Sequence, residues 1–342
     1  MLEEINHPGS VVRAKSPALS IVVPVFNEGI SVAECCRRIS AVVSSLGISY
    51  EIIFVDDGSQ DDTFVCLKAL NEENPSVKII RLARNFGHQT AISAGLAHAL
   101  GDRVAVMDAD LQDPPELLPQ MLREIDGGYD VAYGLRARRQ ENWLKRSAYF
   151  LFYRLLRAAS KIEIPLDAGD FCVMRREVVE AINQLPERNR FIRGLRSWFG
   201  FKQIGVPYIR ARRALGTPKY TLEKLLRLSL DGLISFSDAP LRFAAYLGFL
   251  VSAASFLGIA VVLYFRLFTQ ASVPGFASLA ILILFLGGIQ LLTVGLLGEY
   301  VSRIFDEVKQ RPLYVISSKL GWRAPESQLA VEKEEAWNNA ER

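Results

Sequence analysis

The chain has 342 residues, 50% of them apolar and 23% charged, with a formal net charge of only +3. That length suits one large domain or two small ones, and so small a net charge gives no global field to draw in nucleic acid. Mean hydropathy is positive, which is high for a purely soluble enzyme.

Residues 1–17 form an N-terminal extension. The opening MLEEINHPGS has neither a basic n-region nor an apolar h-region, so no cleaved signal peptide is expected. The four cysteines, Cys35, Cys36, Cys66 and Cys172, make no CxxC pair. They are expected to be reduced thiols in a cytosolic compartment, with no disulfide framework.

Residues 18–218 form the main domain. Short β-branched runs predict strands at 19–25, 51–55, 77–82, 103–107 and 130–133, with helical patterns near 29–46, 61–73, 88–100 and 115–127. This alternation predicts βαβ units, a mostly parallel sheet and a Rossmann-like α/β class. Ligands of such sheets bind at the carboxyl ends of the strands. Polar clusters stand at those ends: Asn27 and Glu28, then Asp56 to Ser59, then Arg84 and Asn85, then Asp108 and Asp110, then Arg136. Each alone fits a solvated loop; their convergence is the stronger signal.

The fourth cluster, in VMDADLQDPPE, ends an apolar run in two carboxylates one residue apart. Like charges so close repel, so a cation between them is expected. Hard oxygen ligands suit Mg²⁺ or Mn²⁺, which also bind substrate phosphates. Such an ion would neutralise charge developing on a departing nucleotide.

Residues 142–161 mix aromatic and basic side chains with no acidic residue, and residues 219–235 repeat the amphipathic theme with Leu222, Leu225, Leu226 and Leu233 on one helical stripe. The first suits a membrane-surface helix or, equally, a core-facing one; the second is expected to be a juxtamembrane helix. Uncharged stretches then run from Phe243 to Phe265 and from Leu267 to Gly298. About 20 apolar residues cross the hydrocarbon, so two transmembrane helices, 239–266 and 275–300, are expected to form a hairpin. Lysines and arginines flank it on one side, which predicts a multi-pass cell-membrane protein with the domain and both termini cytoplasmic. Small residues in the spans, such as Gly248, Gly258 and Gly287, suggest packing into a homo-oligomer such as a tetramer. Residues 301–342 are expected to be a cytoplasmic segment and tail.

Several chemistries lack their motifs. No GxxxxGK[ST] appears, PVFNEG stands where a dinucleotide fingerprint would be, and neither HExxH nor GxSxG is present. The uncharged stretches within the spans hold no charge to mark a transport pathway.

Four stretches in order, IVVPVFNE, EIIFVDDGSQDDT, RNFGHQTAISAG and MDADLQDPPE, resemble family 2 glycosyltransferases of the GT-A fold. AGDFCVM, PERNRFIRGLRSW and GTPKY, followed by the hairpin, resemble the polyisoprenyl-phosphate glycosyltransferases. That group includes dolichol-phosphate mannose synthases and bacterial bactoprenol glucosyltransferases of the GtrB type. The resemblance covers roughly residues 18–312. It implies inverting transfer of one hexose from a nucleotide sugar, UDP-glucose favoured, to a membrane polyisoprenyl phosphate. Transfer from GDP-mannose to a dolichyl phosphate is the alternative, and a non-catalytic sugar-lipid binder is the rival outside enzymes. A processive polysaccharide synthase would carry more spans and a QxxRW motif; here GLRSW stands without the glutamine.

Carried onto this chain, the resemblance implies that Pro24, Phe26 and Glu28 line the nucleotide pocket and that Asp57 contacts base or ribose. It makes Asp108 and Asp110 the metal ligands, bound to Mg²⁺ or Mn²⁺, with Asp110 also part of the catalytic centre. Asp170 becomes a candidate base or orienter beside the sugar. Arg136 and Arg146 become candidates to hold the lipid phosphate, with Arg213 and Lys219 in a segment that closes over the site. Relatives often carry an aromatic residue where Ala214 follows Arg213. Because a phosphate monoester has its second pKa near 6, the acceptor is already nucleophilic at neutral pH, and Asp170 is expected to position rather than to take a proton.

Overall fold

The computed structural model describes residues 16–136, 168–188, 190–209, 239–268 and 275–322. The expected helices at 142–161 and 219–238 fall outside them.

β1 (Leu19–Val25), β2 (Tyr50–Asp56), β3 (Val77–Leu82) and β4 (Arg103–Val106) lie parallel, each pair joined through a helix. The crossovers are α1 (Val32–Ser44), α2 (Thr63–Glu73) and α3 (His88–His98). A 3₁₀ turn at Pro115–Leu117 leads into α4 (Leu118–Asp126), then β5 (Val131–Arg136). β6 (Ala168–Arg175) runs antiparallel between β4 and β5, and β7 (Gln203–Tyr208) pairs parallel with β5. Between β6 and β7 lie α5 (Arg176–Gln184) and α6 (Ile192–Trp198). The order across the sheet is β7-β5-β6-β4-β1-β2-β3-β8.

Both faces of this sheet are covered, so its central strands are apolar almost throughout rather than alternating. Leu19, Ile21 and Val23 of β1 face α1, while Val22 faces α3. Gly95 of α3 exists for that packing: a Cβ there would stand 2.2 Å from Val22 Cγ1. Buried Glu51 of β2 is tolerated because its carboxylate accepts from Ser20 Oγ (2.5 Å) and Leu100 N (2.8 Å) and pairs with Lys78.

β8 (Ile316–Leu320) lies within the stretch expected to be a cytoplasmic segment and tail. It pairs antiparallel with β3 and covers that edge. Ala83 N donates to Val315 O (2.8 Å), and Trp322 just beyond meets the His98 ring edge-on with Lys78 over its face. Its alternating residues, half-buried and exposed by turns, left a pattern too short to stand out.

Two long helices precede β8: α7 (Ala239–Phe268, 30 residues) and α8 (Phe276–Val308, 33 residues). Among the described residues, Phe285–Val308 is the segment long and apolar enough to cross a membrane; Ala244–Gly258 is a shorter apolar stretch. Phe249 (77%), Leu291 (75%) and Phe256 (71%) are widely exposed. Glu307, in the last turn of α8, accepts a hydrogen bond from Arg188 N (2.9 Å). The four cysteines are free thiols.

Candidate active site

The site lies where the strands end. Asn27, just past β1, has φ 53°, a conformation that asparagine tolerates better than most residues. Its N–H donates to Ser59 Oγ (2.9 Å) and its Oδ1 accepts from Gln60 N (2.9 Å). Next to it, Glu28 N donates to Thr63 Oγ1 (2.9 Å), and the Glu28 carboxylate accepts from Ser31 Oγ (2.9 Å). The loops after β1 and β2 are thus knitted into one rim. Pro24 is buried in β1, in register with Val55, and Phe26 is half-buried beside it.

The loop after β2 is pressed against the loop after β3. Gly58 has φ +72°, and a Cβ there would sit 2.5 Å from the Arg84 carbonyl carbon, so both conformation and space require glycine. Asp57 secures the approach: its two oxygens accept from Phe86 N (2.7 Å) and Gly87 N (2.9 Å). Burial pushes its carboxyl up, while these amide bonds pull it down. Asp56, fully buried, accepts from Ser59 N (2.8 Å) and lies 3.3 Å from Arg81 Nε, whose guanidinium covers the Phe64 ring.

Asp57 therefore fixes the turn that delivers the first residues of α3. His88 Nε2 stands 3.5 Å from Asp108 Oδ1 and 3.4 Å from Asp170 Oδ2. Gln89 Nε2 donates to Asp170 Oδ2 (3.1 Å), and Gln89 Oε1 accepts from Ile192 N (2.9 Å) at the start of α6. Arg193 Nε lies 3.0 Å from Asp170 Oδ1, in ion-pair rather than hydrogen-bond alignment. Arg193 and Arg196 are three apart on α6, hence on one face. Arg196 is buried, its guanidinium 5.0 Å from the Tyr133 ring centre, and among the described residues no oxygen or nitrogen accepts a hydrogen bond from it; its charge acts on Asp170 and on the Cys172 thiol.

The electrostatics divide the carboxylates. Burial opposes ionisation of Asp170, but Arg193, His88 and Arg196 outweigh it and hold the group well below the usual carboxylate range. Burial pushes Asp108 up to about 6; His88 opposes the rise, and Asp113, Asp170 and Asp110 add to it. Burial disfavours the His88 imidazolium, yet Asp170 and Asp108 prevail and raise it to about 9.

Asp110 accepts from Gln112 N (3.1 Å), and Leu111 between them has φ 59°. Among the described residues no group of three or more His, Cys, Asp or Glu side chains is arranged to hold a metal ion by itself. Two neighbouring carboxylates with surplus negative charge around Asp108 nevertheless fit a hard divalent ion, which needs few protein oxygens when water and phosphate complete its shell.

Of the residues singled out from sequence, the structure gathers Asp108 and Asp170 around His88 and brings Arg136, at the end of β5, near enough to feel the charge of Asp108 and Asp113. Glu28 and Asp57 stand on the neighbouring rim. Arg146, Arg213 and Lys219 lie outside the described residues. His88, Gln89, Arg193 and Arg196 were not singled out. Their only signal was position, since they stand in the RNFGHQ and FIRGLRSW stretches.

Residues 20–182 match the model of the family described as glycosyl transferase family 2. The chain is 46% identical over 303 residues to an uncharacterized glycosyltransferase, YkcC, of Bacillus subtilis (strain 168), covering 88% of this chain and 94% of that one. It is 42% identical over 299 residues to the SfII prophage-derived bactoprenol glucosyl transferase of Shigella flexneri, covering 87% and 97%. A solved structure of glucosyl-3-phosphoglycerate synthase from Mycobacterium tuberculosis, in complex with Mn²⁺, UDP-glucose and glycerol 3-phosphate, is 19% identical with a TM-score of 0.46. That match covers 68% of this chain and 86% of that one.

Proposed function

Since the chain belongs to glycosyl transferase family 2, we propose that it transfers one hexose, glucose from UDP-glucose, to a membrane polyisoprenyl phosphate with inversion at the anomeric carbon. The observation that carries this reading is the meeting of Asp108 and Asp170 around His88 at the carboxyl edge of the sheet. The bactoprenol glucosyl transferase relative supports the lipid acceptor and the sugar.

Pro24, Phe26, Glu28 and Asp57 form the nucleotide side of the site. Asp57 shapes that side through the Phe86 and Gly87 amides. Asp108 and Asp110 would hold Mg²⁺ or Mn²⁺, which supplies counter-charge for the nucleoside diphosphate as it departs. Asp170 lies on the sugar side. Flanked by Arg193 and His88 it stays anionic and is a weak proton acceptor, so its work is to orient groups and to balance charge. The acceptor phosphate, with its second pKa near 6, needs no strong base. Arg136, with Arg146, Arg213 and Lys219, would bind it by charge-assisted hydrogen bonds.

The lipid tail confines the reaction to the membrane surface. α7 and α8 are the two spans of a hairpin on this reading, with the domain and both flanking segments cytoplasmic. The wide exposure of Phe249, Phe256 and Leu291 supports burial in lipid, and small residues in the spans support assembly of several protomers.

The test is a screen of radiolabelled UDP-glucose, GDP-mannose and other nucleotide sugars with membranes containing undecaprenyl or dolichyl phosphate and Mg²⁺ or Mn²⁺. Metal-dependent label in a glycolipid from UDP-glucose supports the reading. Label from GDP-mannose alone replaces the donor, and no labelled lipid from any donor overturns the proposal.

A further inference from the structure

Arg136 is held by an arrangement that reaches back to the metal-binding loop. Its Nε faces Tyr208 Oη at 3.4 Å. The Tyr208 hydroxyl donates its proton to Asp113 Oδ1, which leaves the phenolic oxygen to accept from Arg136. Asp113 stands in the same loop as Asp108 and Asp110 and is 1% exposed; Tyr208, the last residue of β7, is 6% exposed.

Two glycines make the room. A Cβ on Gly134 of β5 would stand 2.8 Å from Tyr208 Cε1 and 3.1 Å from Phe171 Cδ1. A Cβ on Gly169 of β6 would stand 3.0 Å from Arg136 Nη2. The Tyr208 ring therefore fills the space left at Gly134, and the guanidinium lies across Gly169, next to Asp170. Phe171 meets the Tyr208 ring edge-on, with centroids 6.0 Å apart and an interplanar angle of 85°. Backbone, ring and carboxylate all limit where the hydroxyl can go.

We propose that Tyr208 is a positioning residue: through Asp113 on one side and Arg136 on the other, it locks the acceptor-binding arginine to the loop that carries the metal ligands. The inference rests on Arg136 binding the acceptor phosphate. Its consequence is that acceptor and donor sites keep a fixed spacing, which in-line transfer between two bound substrates requires. Burial, with Asp113 beside it, pushes the Tyr208 phenol up to about 12, so the hydroxyl stays protonated through the working range and the link does not switch with pH.

The test is a double-mutant cycle on the full-length protein in lipid. Tyr208→Phe removes one oxygen and keeps the ring. It is expected to raise KM for polyprenyl phosphate about threefold to tenfold, the worth of one lost hydrogen bond, while Kd for the metal–nucleoside diphosphate complex stays as in wild type. In an Arg136→Met background the same substitution is expected to change nothing further, because the group it acts through is gone. An unchanged acceptor KM, or an equal loss in both backgrounds, overturns the inference. If Tyr208→Phe does not accumulate because Asp113 has lost this donor, Tyr208→Phe/Asp113→Leu removes both ends and is read in the same way. Should Arg136→Met transfer as well as wild type, the acceptor role of Arg136 falls and this inference with it. Should wild type form no glycolipid at all, the proposed function fails, and a crystal structure of Tyr208→Phe decides the positioning claim. A guanidinium displaced from Gly169 supports the lock, and one left in place overturns it.

Discussion

Asp170→Asn is expected to weaken the fold and to spare the chemistry in part. Asp170 keeps only 10% of its side-chain exposure and lies 3.0 Å from Arg193 Nε. At that distance the gross attraction is roughly 5–6 kcal/mol for an effective dielectric constant of about 20. Desolvation consumes much of it, and removing one partner of a buried pair costs about 3–5 kcal/mol because the other charge is stranded. Arg193 retains 27% exposure and can turn toward water, which favours the low end, about 3 kcal/mol. In a domain of this size, each kcal/mol moves Tm by about 2–4 °C, so a drop of roughly 6–12 °C is expected in thermal unfolding of the detergent-solubilised protein. In an Arg193→Met background Asp170→Asn should cost less than in wild type, because the Arg193 share of the loss is already gone while the His88 and Arg196 shares remain. The acid limb of the wild-type pH–rate profile should follow the acceptor phosphate near pH 6, and Asp170→Asn should keep measurable turnover with that limb in place. A variant as stable as wild type would refute the charge assignment. Complete inactivation with intact donor binding would refute the positioning role and restore Asp170 as a true base.

Other substitutions probe the frame. Folded His88 titrates at about 9, above its unfolded value near 6.5; its stabilising contribution is full below pH 6.5 and lost as pH rises through 9. With 46% of the side chain exposed the effect is screened to under about 1 kcal/mol, and denaturant melts of metal-free protein at the two ends of that window should differ less in His88→Gln. Asp170 runs the other way: its depressed pKa gives stability above the unfolded value near 3.9 that is lost toward lower pH, so acid melts of Asp170→Asn should be flatter. Gly58→Ala forces a Cβ against Arg84 at positive φ and is expected to cost about 1–3 kcal/mol by thermal unfolding. Truncation after Pro312 removes β8 and bares the β3 edge; light scattering should then show aggregation at a lower temperature than for the full chain.

Much of the frame was legible because it rests on local pattern. The runs that became β1 to β4 are largely apolar and sit between helices of ordinary length, so their succession along the chain and their mostly parallel sense followed from the sequence, and the carboxylates at their ends marked the site. What stayed hidden depends on contacts distant along the chain. β6 is antiparallel and carries Asp170 into the sheet between β4 and β5, where no alternation rule places a strand. Arg193 and Arg196 acquire meaning only when α6 turns them toward that strand, and Gln89 only when it ties α3 to α6. Tyr208 lay in the short run QIGVPY, which has no periodicity to distinguish it. Asp57 shows a different gap: its place at a strand end was evident, but not that two backbone amides would take both of its oxygens.

The central claim is that Asp108 and Asp110 grip a divalent ion that in turn grips the donor diphosphate. Anomalous diffraction from crystals grown with Mn²⁺ and UDP tests it most directly. The account expects a manganese peak within ligand distance, about 2.0–2.3 Å, of carboxylate oxygens from both residues and of phosphate oxygens. A peak elsewhere, or bound UDP whose phosphates lie away from the loop with no metal between, would contradict it.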